Sequence, residues 1–115
     1  MKKLISLALT ALLLLSLAGC GGSSSSLKTV NKGKLTMSTN AEFPPYESTD
    51  DSGSFVGIDI EIAGAIAQKL GLELQVDDMD FDAALLAAQN GKSDIVMAGV
   101  TVNEERQAVM NFSDS

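Results

Sequence analysis

Apolar residues in the amino-terminal part of this chain follow no period, and from residue 4 to residue 18 only Ser6, Thr10 and Ser16 interrupt them. From residue 34 onward the pattern becomes regular. Residues 34–39 carry the alternation Leu35-Thr36-Met37-Ser38, which predicts a strand. A turn cluster at residues 50–53 leads into a short strand around Phe55 and Val56. Over residues 59–70 a wide apolar stripe is formed by Ile58, Ile62, Ala65 or Ile66, together with Ile60, Ala63, Ala67 and Leu70. Asp59 near its start and Gly71 just past its end make this the best-defined helix of the chain. Residues 72–76 read as a strand, and a second helix follows that ends at Asn90-Gly91. The apolar or small residues 95–98, set between Gly91 and Gly99, suit a strand covered on both faces of a parallel sheet. That strand runs out through a glycine turn into a helix start at Asn103. The alternation of strand and helix predicts an α/β fold, a parallel sheet with right-handed crossovers and helices on both faces. Strand ends at Asn40, at residues 77–81 and at Gly99 then open on one edge, where their loops converge.

With 115 residues the chain holds one domain at most, and not all of it is available for folding. Lys2 and Lys3 ahead of the apolar run have the layout of a secretory signal peptide, too short and wrongly flanked to span a membrane. Leu17-Ala18-Gly19-Cys20 resembles the lipobox of bacterial lipoproteins, which implies that Cys20, the one cysteine, is lipidated and becomes the mature N-terminus. Residues 21–26 are glycine and serine only. The domain plan is therefore a lipoprotein signal peptide at 1–20, a flexible tether at 21–33 and a globular part at 34–115. Without Lys2 and Lys3 there are six basic and fifteen acidic residues, so the formal charge of −7 becomes −9. That balance opposes nucleic-acid binding, which needs a cationic footprint. The acids are scattered through helices and turns and indicate no substrate charge.

Candidate chemistry concentrates on the open edge. Asn103 can cap a helix, and Glu104 and Glu105 complement the positive end of its dipole. Arg106 does not fit that logic, because a cation in the first turn sits at the wrong end of the dipole. Either it pairs with a nearby glutamate on a solvated face, the commoner arrangement, or it serves a bound carboxylate, for which a planar bidentate fork beside free backbone N–H groups is suited. Phe43 and Tyr46 flank Pro44 and Pro45 in a loop that can be neither helix nor ladder, and Tyr46 is expected as a core cap under it. The acids Asp77, Asp78, Asp80 and Asp82 lack the glycine and terminal glutamate of a calcium loop. Asp80 or Asp82 is more simply a helix N-cap. Histidine is absent, and no serine or cysteine constellation offers a nucleophile with a base.

Four blocks in order carry a resemblance: Thr39-Asn40-Ala41-Glu42-Phe43-Pro44-Pro45-Tyr46-Glu47, Gly57-Ile58-Asp59-Ile60-Glu61-Ile62 with Ile66, Ala67 and Leu70, then Met79-Asp80-Phe81, and Asn111-Phe112-Ser113-Asp114. Together with the stretch around Gly99 to Arg106 they resemble the bacterial extracellular solute-binding proteins of family 3, the polar amino-acid receptors of ABC importers. The resemblance implies an incomplete first lobe of a type II periplasmic binding protein, since family members run to more than twice this length. It implies that Arg106 clamps an α-carboxylate with the Thr101 backbone N–H, while the Gly99 carbonyl and Thr101 hydroxyl accept the α-ammonium. Phe43 and Phe81 would wall the ligand side chain. Asn40 stands where several relatives carry aspartate, which weakens the case for a basic amino acid. No cofactor is implied. The implied partners are a small-molecule amino acid, a transporter permease and, through the lipid, the outer face of the cell membrane. Two alternatives share the fold: a cyclohexadienyl dehydratase-like enzyme, and the sensor portion of a signalling receptor.

Overall fold

The computed structural model of the protein describes residues 27–114. The expected signal peptide, Cys20 and the Gly/Ser run at 21–26 lie outside the described residues.

Strand β1 (Lys34–Thr39) is the centre of the fold, because it has a parallel neighbour on each side: β5 (Glu73–Asp78) and β6 (Ile95–Val96), in the order β5-β1-β6. Lys34 pairs with Glu73 and Thr39 with Asp78, while Met37 and Ser38 pair with Ile95 and Val96. Flanked in this way, Thr36, Met37, Ser38 and Thr39 lose all exposure. Helix α1 (Ile58–Leu70) packs on β5 and β1, and α2 (Phe81–Gln89) on β1 and β6. The two crossovers leave β1 and β5 in opposite directions, so right-handed connections put the helices on opposite faces. Alternation along β1 serves both. The Ser38 hydroxyl donates to the Ala84 carbonyl of α2 at 2.9 Å and shares a 2.9 Å bond with Ser93, while Leu35 and Met37 point to the other face. Buried alanines, Ala63 and Ala67 in α1 and Ala84 in α2, let both helices approach the sheet closely.

A second sheet, antiparallel in the order β2-β3-β4, was not foreseen as such. It consists of β2 (Glu42–Phe43), β3 (Glu47–Thr49) and β4 (Phe55–Val56), with Pro44 and Pro45 in the β2–β3 turn. This hairpin is fastened to α1. The N–H groups of Ile58 and Asp59, which a helix start cannot satisfy internally, donate to the Pro45 and Tyr46 carbonyls at 3.0 and 2.9 Å. Gly57 makes the contact possible: its φ is +127°, and a Cβ there would stand 2.3 Å from the Tyr46 oxygen. Gly71, at φ +70°, closes the far end in the left-handed conformation.

Several expectations need correction. β6 spans Ile95–Val96 alone, and both residues are half-buried, because β1 is its one neighbour and no strand covers its other edge among the described residues. The stripe of α1 is wider than the face it buries: Ile58, Ile62, Ile66 and Leu70 remain 41 to 46% exposed. Ile62 and Ile66 instead line, with Ile95, Val96, Met97 and Met110, an open apolar cavity of about 440 Å³. β5 runs two residues beyond the expected end at Val76, since Ser38 and Thr39 continue to offer it partners. Tyr46 is 43% exposed and stacks on Phe43 at 5.3 Å between centroids, so it is no core cap. Within the segment expected as tether, Val30 N–H donates to Asp94 at 2.9 Å and Asn31 bonds Thr36 at 3.0 Å, which fastens that part to the domain. The same Asp94 carboxylate accepts the Thr36 N–H at 2.8 Å, spanning two segments.

Candidate functional site

The parallel register brings the C-terminal ends of β1, β5 and β6 to one edge. Backbone bonds hold them there: Met79 N–H donates to the Thr39 carbonyl at 2.9 Å, and Ala41 N–H to the Asp78 carboxylate at 2.8 Å. Asn40 lies at this edge, half-buried, where its carbonyl accepts the Glu42 N–H at 2.8 Å and the chain turns into β2. Next to it, three residues beyond the end of β6, stands Gly99, whose φ is +58°. A Cβ at that position would meet the Phe43 ring at 3.0 Å, so the glycine and the first aromatic residue are in contact. Phe43, Tyr46 and Gly99 thus form one cluster, contributed by the hairpin and the loop after β6.

The second cluster is built on Arg106. Asn103 caps the short helix α3 (Glu104–Gln107), its side-chain oxygen accepting the Arg106 N–H at 2.8 Å. This fixes the root of the arginine in the first turn, as the sequence predicts. The guanidinium then turns away from Glu104 and Glu105. Its Nη1 donates to the Thr101 carbonyl at 2.9 Å, and its carbon lies 5.4 Å from the centre of the Phe81 ring, the first residue of α2. Among the described residues no carboxylate holds it, so the surface charge pair is not the arrangement adopted. A guanidinium placed over a ring and tied by one nitrogen has other donors left for a planar acceptor. The stretch from Gly99 to Thr101 joins the two clusters. Gly99 lines a cavity of about 310 Å³ with Asp59 and Phe112, and Arg106 lines a separate one of about 330 Å³ with Asp82, Leu85 and Asn103.

The aspartates beside this edge hold the fold together. Asp78 binds Ala41, Asp77 accepts from the Gln75 amide at 3.0 Å, and Asp80 occupies the N-cap position of α2 without a side-chain cap bond. Asp50 is held below the usual carboxylate range by the Ser52 hydroxyl and the Ser54 N–H in its turn.

A further acid escapes the sequence pattern. Glu47, one residue after Tyr46, has no exposure, and neither of its oxygens has a hydrogen-bond partner when both it and its neighbour Asp59 are ionised. Burial first, and then the hydrogen bond and charge of Asp59, push its pKa from 4.5 up to about 7. Two carboxylates are both acceptors, so a bond between them requires a proton on one. Within β3 Glu47 turns inward between exposed Tyr46 and half-exposed Ser48, but three residues are too few for that alternation to be read from the sequence.

A parallel α/β lobe with an aromatic and guanidinium edge at its strand ends has the architecture in which open α/β sheets bind small ligands. The sequence profile of the bacterial extracellular solute-binding proteins, family 3, matches residues 35–115, and the chain belongs to that family. It is similar to the arginine-binding extracellular protein ArtP of Bacillus subtilis, 38% identical over 99% of this chain and 44% of that protein. Among solved structures it resembles an ancestral arginine-binding protein bound to arginine, at 48% identity and a TM-score of 0.68, covering 71% of this chain and 36% of the other. A more distant similarity, 29% over 92% of this chain and 40% of the relative, is to the cyclohexadienyl dehydratase of Pseudomonas aeruginosa. The chain spans less than half the length of each of these proteins.

Proposed function

We propose that this chain supplies the carboxylate-binding wall of an amino-acid receptor serving an ABC importer. One observation carries the reading: Arg106 is turned off the glutamates beside it and laid on Phe81, with donors left for a carboxylate. The Thr101 N–H assists it, and the Gly99 carbonyl and Thr101 hydroxyl accept the α-ammonium. Phe43 and Phe81 flank the ligand side chain, and Asn40 meets it without charge. Relatives that bind arginine by name support an amino acid as the ligand class. Membership of an extracellular family supports a place outside the cytoplasm; the lipobox-like Leu17-Ala18-Gly19-Cys20 makes Cys20 the proposed lipid anchor, and a permease is the proposed docking partner. The dehydratase alternative is supported by a more distant relative, at 29% identity against 38% for the arginine-binding protein, which favours the receptor.

Calorimetric titration of the protein with single amino acids tests the reading. Among the described residues this edge supplies one wall of a cleft, and for that wall alone dissociation constants in the range of about 1 mM are expected, with Arg106→Ala abolishing the heat and Arg106→Lys restoring little. Unchanged binding by Arg106→Ala would remove the arginine from the site.

A further inference from the structure

We propose that Glu47 and Asp59 form a proton-operated latch that positions the aromatic loop of the binding edge. Glu47 follows Tyr46 directly, and Asp59 is the residue whose N–H holds the Tyr46 carbonyl at 2.9 Å. Both acids therefore sit at the seam between the Pro44-Pro45-Tyr46 turn and the first turn of α1. The turn carries Phe43 and Tyr46, stacked at 5.3 Å, and Phe43 is the residue in contact with Gly99. Whatever loosens the seam displaces that ring from the edge.

Among the described residues no cation faces Glu47 across the seam. The group facing Glu47 from α1 is Asp59; on the neighbouring strands, β2 carries only the exposed Glu42 and β4, Phe55 and Val56, carries no titratable group. With one proton present, the Glu47 hydroxyl donates to an Asp59 oxygen, and the negative charge left on Asp59 lies at the N-terminal end of α1, where the helix dipole favours it. When that proton leaves to solvent, two carboxylates face each other, one of them without access to water. Their repulsion acts directly on the Ile58–Pro45 and Asp59–Tyr46 bonds. The burial and pairing that place the Glu47 pKa at about 7 set the release near neutral pH. Its consequence for ligand affinity rests on the proposed amino-acid site, while the movement of the loop does not.

Tyr46 is the one tyrosine and the chain has no tryptophan, so intrinsic emission reports the loop alone. Fluorescence intensity and anisotropy of the purified protein are followed from about pH 5 to 9, below the ordinary phenol ionisation, with circular dichroism recorded alongside to establish that the fold persists. The wild type should show one transition with a midpoint close to pH 7, Glu47→Gln should hold the low-pH signal throughout, and Asp59→Asn should move the midpoint to lower pH. A flat wild-type profile, or an unchanged transition in Glu47→Gln, overturns the proposal. If Glu47→Gln does not fold, the Asp59→Asn midpoint decides: an unshifted one also overturns it. No ligand enters the measurement, so its failure leaves the amino-acid site untouched, and failure of that site leaves the latch standing.

Discussion

Arg106 shows how far a single residue can be read. Its misfit with the helix dipole marked it in the sequence, and the structure resolves the choice between a surface pair and a free fork through Thr101 and Phe81. In a receptor that encloses its ligand, Arg106→Ala should weaken binding by about 2–5 kcal/mol, because a desolvated carboxylate loses its charged partner. Glu47 was not legible in this way, since nothing in the local sequence says that a glutamate after an exposed tyrosine is buried. Its folded pKa, about 7, lies above the ordinary 4.5, so the protein binds a proton that the unfolded chain does not between those values. Its stability contribution is complete below pH 4.5 and is lost as pH rises through 7, by about 3 kcal/mol at most. Urea denaturation across that window should show the decline in wild type and a flatter profile in Glu47→Gln; equal slopes would contradict it. At Gly99, where φ is +58° and Phe43 stands 3.0 Å from a would-be Cβ, Gly99→Ala should cost about 1–2 kcal/mol in the same assay.

Elements were legible where a period had room to repeat. β1, α1 and α2 run six, thirteen and nine residues and were located from alternation and apolar stripes. The hairpin was not, because β2 and β3 are two and three residues long and largely exposed, which leaves no period to detect. The stripe of α1 misled in the other direction, since an apolar face does not reveal whether anything covers it. Ile62→Lys should therefore change stability by no more than about 0.5 kcal/mol and reduce self-association seen by light scattering. Ala63 and Ala67, with almost no exposure, mark the face that is covered, and Ala67→Leu should cost about 1–3 kcal/mol through overpacking. A large loss in Ile62→Lys with none in Ala67→Leu would reverse the assignment of faces.

For the molecule as a whole, the parallel α/β lobe and its open edge were predictable from the alternation of strand and helix, and the register confirms which loops meet. The candidate residues divide into two clusters that only three-dimensional placement reveals, Phe43 with Gly99 and Phe81 with Arg106, joined through Thr101. Spacing alone could not tell that Arg106 would use the Thr101 carbonyl, because that bond depends on how the chain leaves Gly99. The central claim is that this edge recognises a carboxylate through Arg106. Backbone and arginine side-chain NMR signals of the protein, titrated in parallel with an amino acid and with its methyl ester, test it most directly. The amino acid should shift Gly99, Thr101 and the Arg106 guanidinium while the ester leaves them in place; equal shifts with both ligands would contradict the account.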